Sequence, residues 1–66
     1  MVKKIEPGRL YIEPIKNDVV VVDNIEEISD SVWYHHINRP DFPVVEGALG
    51  LAKMYWKDIQ HENTNR

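Results

Sequence analysis

The densest run of side chains able to do chemistry is Ser31-Val32-Trp33-Tyr34-His35-His36-Ile37-Asn38-Arg39. The imidazoles of His35 and His36 can hydrogen-bond a base edge or a phosphate, in a charge state set by pH. Arg39 can donate two bonds to guanine or contact a phosphate, and Asn38 can pair with adenine. Ser31 can meet a phosphate beside the free N–H groups of a helix start, or simply cap that helix. Further along, Lys53 and Lys57 can neutralise phosphate or serve as ordinary surface lysines. Metal chemistry is not expected. Adjacent helical residues point about 100° apart, so His35 and His36 cannot grip one ion as an i, i+4 pair does. His61 stands in a polar tail. Catalysis has no support either: there is no Cys, no phosphate-cradling glycine loop, and no Ser, His and acid set that the sequence would bring together. No enzyme and no cofactor is expected.

These side chains need elements to position them. Ser29 or Asp30 can cap a helix over Ser31 to Arg39, with Trp33 and Ile37 at i and i+4 turned inward. Val32, His35, His36 and Arg39 then face solvent or a partner. Pro40 disfavours helical geometry at Arg39 and ends the element. Strand alternation over Val32 to Ile37 is the rival reading. Ahead of this helix, Asp23 or Asn24 caps a short helix carrying Ile25 and Ile28, with Glu26 and Glu27 near its positive end. Upstream again, Arg9–Ile15 and the β-branched run Val19–Val22 flank the turn formers Lys16-Asn17-Asp18, which suits a hairpin with Pro14 at an edge. Pro7-Gly8 reads as a turn, and Lys3, Lys4 and Arg9 as a loose basic arm. After the Asp41-Phe42-Pro43 turn the pattern forks. Leu49, Ala52, Trp56 and Ile59 suit an amphipathic helix over Glu46 to Gln60. Gly47 and Gly50 suit a hairpin tip between Val44-Val45 and Leu51–Tyr55.

Composition bounds these options. Sixty-six residues make one domain with a modest core, 1–66, with 1–8 and 61–66 expected to be flexible. The chain is 42% hydrophobic and 29% charged, which fits a folded domain. The absence of cysteine excludes a disulfide scaffold and any thiolate zinc site. Val19–Val22 is the longest purely apolar run, far too short for a bilayer, and no secretory signal is visible, so the default location is the cytoplasm with no membrane partner. Eight Lys and Arg against eleven Asp and Glu give a net charge of -3 and a pI near 5.5. The acids concentrate in the first half, from Glu6 to Asp30, which leaves Ser31–Lys57 mildly electropositive.

Over residues 29–60 the residues Ser31, Trp33-Tyr34, Ile37 and Phe42-Pro43, followed by Gly50, Tyr55 or Trp56, and Asp58, resemble small winged-helix proteins of the excisionase and AlpA type, relatives of the MerR DNA-binding domain. The resemblance implies an α+β fold, a small winged helix-turn-helix with an N-terminal β-hairpin or extended arm. It implies a wing across Val44–Tyr55 and a recognition helix lying in the major groove. The DNA-contacting set would be Ser31, Val32, His35, His36, Asn38, Arg39, Lys53 and Lys57. The implied function is a sequence-specific DNA-binding regulator that assists an integrase or acts on transcription. Its partners would be double-stranded DNA, an integrase or recombinase, and further copies of itself along the DNA. The overall acidity supports a different reading, a small protein-binding module such as a phage-encoded inhibitor, offering an edge strand of the Arg9–Val22 hairpin to its partner.

Overall fold

The computed structural model describes residues 4–39 and 41–59. Pro40, Lys3 of the basic arm and the tail with His61 lie outside the described residues. The chain runs through β1 (Leu10–Glu13), β2 (Asp18–Glu26), β3 (Ser31–His36), β4 (Val45–Ala48), α1 (Leu49–Tyr55) and β5 (Lys57–Asp58). The strands form one antiparallel sheet in the order β4-β3-β2-β1-β5.

This architecture overturns the helix-turn-helix expectation. Ser31–His36 is a strand, and no recognition helix exists among the described residues. Its side chains alternate with period 2. Val32, Tyr34 and His36 turn to the core, while Trp33 and His35 turn to the opposite face. The i, i+4 match of Trp33 and Ile37 was therefore coincidental. β-Branched and aromatic residues gain more on a pleated surface between two neighbouring strands than in a short helix. The helix expected over Ile25–Ser29 is also absent, because β2 continues through Glu26. Asp30 does not cap a helix at Ser31. It sits at φ 58° in the turn joining β2 to β3, and its carboxylate accepts the Gly50 N–H of α1 at 2.9 Å.

β1 and β2 pair from Leu10↔Val21 to Glu13↔Asp18 across a turn in which Asn17 takes φ 54°, a conformation asparagine tolerates. Pro14 lies in that turn and so owes the sheet no N–H. A β-bulge between Val22 and Asn24 shifts the phase of β2 by one residue. Val20 and Val22 point to the core before it, and Ile25 packs on the same core after it. Gly47 on β4 faces Val32, and a Cβ there would come 3.3 Å from the Tyr34 ring, so this strand lies close under the tyrosine. The wing is absent as well. Val45–Ala48 is a strand, but Leu51–Tyr55 is helical rather than its return partner.

One face of the sheet is covered by α1 and by the segment holding Ile5. The buried core comprises Ile5, Tyr11, Val20, Val22, Val32, Leu49, Ala52 and Trp56. The other face carries Leu10, Ile12, Val19, Val21 and Trp33, all half-buried. None of the described helices is long and apolar enough to cross a membrane.

Candidate functional site

Rings line up from the core to the surface. Tyr11 and Trp56 lie 5.9 Å apart, and Trp56 meets Tyr34 edge-on at 4.8 Å. Tyr34 then meets His36 at 5.9 Å, and His36 meets Phe42 at 5.9 Å. Edge-to-face contacts of this kind add about 0.5–1.5 kcal/mol each beyond area burial. Burial pushes both the Tyr11 and Tyr34 phenols up, so they stay protonated. The Tyr11 hydroxyl accepts the Glu6 N–H at 3.0 Å, which holds the N-terminal segment against the core.

Beside the Trp56 end of this ladder is a groove of about 340 Å³. It lies between the β1–β2 turn and α1, lined by Glu13, Pro14, Ile15, Leu51, Tyr55 and Trp56. Glu13 is positioned by the turn itself, because its two carboxylate oxygens accept the N–H groups of Ile15 and Lys16 at 2.8 and 3.1 Å. This is a buried carboxylate whose hydrogen bonds shape the rim. The other lining residues are mostly apolar and open to solvent: Ile15 is 90% exposed, Leu51 58% and Tyr55 61%, with Met54 beside them at 64%. A patch of large apolar side chains this exposed is unusual on a small folded domain and marks a contact surface.

The residues expected to read DNA do not gather in one place. Val32 is core, and Ser31 is buried with its hydroxyl donating to Glu46 at 3.0 Å. His35 lies on the open sheet face and its Nδ1 donates to Asp23 at 2.8 Å. His36 is 4% exposed, and its Nδ1 donates to Asp18 at 3.1 Å. Arg39 Nε donates to the same Asp18 oxygen at 3.1 Å and its guanidinium lies over Phe42. Asn38 is exposed in the turn after β3. Lys53 is on α1, 3.5 Å from Glu27, and Lys57 is on β5 opposite Ile12. The nearby acids Asp18, Asp23, Glu27 and Glu46 take up much of this polar capacity, so these residues form no basic ridge. Sequence reasoning places Ile15 and Leu51–Tyr55 in strands and marks none of Ile15, Leu51, Met54 and Tyr55 as a contact residue. Their signal was present in the sequence: Leu51, Met54 and Tyr55 repeat at i, i+3 and i+4 in parallel with Leu49, Ala52 and Trp56, giving one helix two apolar sides.

Asp18 is the hub of the polar cluster. The Arg39 bond, with help from the Val19 N–H and His36, holds its carboxyl below the ordinary value of 3.8. A carboxyl lowered on folding stabilises the fold fully above its ordinary value, and that contribution disappears as pH falls through the lowered one. Acid titration followed by carbon NMR should give Asp18 a midpoint below 3.8, and Arg39→Ala should move it upward. An unchanged midpoint in the variant would show that Arg39 does not set it.

No family model matches the chain, and no solved structure matches it. A curated protein of Dictyostelium discoideum, described by its name as leucine-rich repeat-containing, is 42% identical over 43 residues. The match covers 65% of this chain, and the chain spans about 3% of that protein's length. This chain has leucine only at positions 10, 49 and 51, so it carries no leucine periodicity of its own.

Proposed function

We propose that the chain is a small protein-binding module whose contact surface is the outer side of α1 together with the groove beneath Ile15. One observation carries this reading: Ile15, Leu51 and Tyr55 present large apolar side chains to solvent around a single groove, and Met54 extends the exposed side of α1. Burying such side chains against a partner is favourable by about 25 cal/mol per Å² removed from water, before the costs of association. The edge-strand form of this reading is set aside, because β1 has β2 on one side and β5 on the other. The acids beside the former DNA candidates favour a protein partner over duplex DNA.

A photo-crosslinking amino acid at position 55, compared with one at position 57 on the far side of the sheet, tests this in living cells. The expected result is a discrete crosslinked protein adduct from position 55 and none from position 57. Adducts to nucleic acid alone, equal adducts from both positions, or no adduct from position 55 would reject the module.

A further inference from the structure

A helix with a sheet beneath it and solvent above ordinarily shows charge to the solvent. α1 does not. Leu49 and Ala52 are 1% exposed against the core, while Leu51, Met54 and Tyr55 stand outward, Leu51 and Tyr55 in the groove that Ile15 also lines. The helix's one charged residue, Lys53, is drawn aside to Glu27 at 3.5 Å. Size and charge together narrow what covers this face. The four side chains offer apolar surface on the scale of a few hundred Å², whereas a stable two-fold dimer buries roughly 800 Å² on each partner. A second copy would also bring together like charges, since each chain is net -3. Two exposed acids stand along α1: Asp30 lies against Gly50 at the start of the helix, and Glu27 stands beside Lys53 with its side chain 68% exposed, whereas Glu13 in the groove is buried with both oxygens taken by backbone N–H groups. The same acids repel an anionic lipid surface.

We infer that the outer side of α1 and its groove receive a basic amphipathic segment of another protein. The segment seats apolar side chains between Ile15 and Tyr55 and sets Lys or Arg over Glu27 and Asp30. This rests on the protein-binding reading and adds the partner's charge and shape. A groove of about 340 Å³ has room for one or two large side chains, so the segment anchors at a few positions spaced i, i+3 or i+4 rather than along a broad interface.

Three synthetic peptides of equal length separate the possibilities when titrated into the full chain and followed by amide NMR. One places Leu at i, i+3, i+4 and i+7 with Lys elsewhere. The second replaces every Lys by Glu. The third scrambles the first. The Lys peptide should bind at least tenfold more tightly than either of the others, with shifts centred on Ile15, Leu51, Met54 and Tyr55. Leu51→Lys and Tyr55→Lys should each weaken it at least tenfold while leaving the circular dichroism spectrum intact. Asp30→Asn with Glu27→Gln should weaken it severalfold and flatten its salt dependence. Equal binding of the Glu peptide would overturn the partner's charge while leaving a protein-binding module standing. Shifts confined to Leu10, Val21 and Trp33, or no binding by any peptide, would overturn the site. A concentration-dependent dimer abolished by Leu51→Lys would assign the face to a second copy. Binding to phosphatidylserine vesicles lost in the same variant would assign it to lipid.

Discussion

Trp56→Ala should leave the chain unfolded at room temperature. The indole is 6% exposed and lies against both Tyr11 and Tyr34, so its loss opens the centre of the core. Truncating a buried tryptophan costs about 3–5 kcal/mol. A domain of this size rarely has more than about 3–5 kcal/mol of stability in total. Far-UV circular dichroism during thermal and urea unfolding would register this as a missing cooperative transition. The control is Trp33→Ala on the open sheet face, which should cost about 1 kcal/mol or less, in the range of a cross-strand pair. A cooperative transition in Trp56→Ala at the wild-type temperature would show that the ladder does not hold the core.

The second large effect separates two leucines that are neighbours but one in sequence. Leu49→Ala should destabilise by about 2–5 kcal/mol, since its side chain is 1% exposed among the core residues. Leu51→Ala should fall within about 0.5 kcal/mol of wild type, as surface substitutions generally do. Urea midpoints at constant slope would measure both. If Leu51→Ala cost as much as Leu49→Ala, the outward side of α1 would have to be part of the core, and the docking surface would disappear with it.

How much of this could be read from the chain differs by region. The turn at Lys16-Asn17-Asp18 between two apolar runs is legible because its signal is local: an asparagine that tolerates positive φ, flanked by β-branched residues. Leu49 and Ala52 face inward as the helical spacing over Glu46–Gln60 implies, although that helix is shorter than expected and Val45–Ala48 before it is a strand. Residues 31–39 were illegible for a physical reason. Trp33 and Ile37 fit helical spacing while Val32, Tyr34 and His36 fit strand spacing, and Asp30 suits a cap as well as a left-handed turn. Only pairing with the neighbouring strands β2 and β4 decides between them. Resemblance to winged-helix proteins followed the same residues and so inherited the same ambiguity. The candidate site was hidden differently. Its residues come from the β1–β2 turn and from α1, and no local pattern says that these two lie side by side.

The short ladder between β1 and β5, with Arg9 bonded to Asp58 across 49 residues of sequence, joins the beginning of the sheet to its end. Every other strand pairing links consecutive strands. The chain can therefore zip its hairpins one after another from their turns, with little entropy to overcome at each step. Closing the ends together spans the greatest sequence separation of any strand pairing among the described residues, bringing Tyr11 to Asp58 and Ile12 to Lys57. α1 lies immediately ahead of β5, so one segment builds both the helix and the closure. The apolar face proposed to meet a partner is thus carried by the same segment that closes the sheet, with Trp56 of that segment seated against Tyr11 and Tyr34.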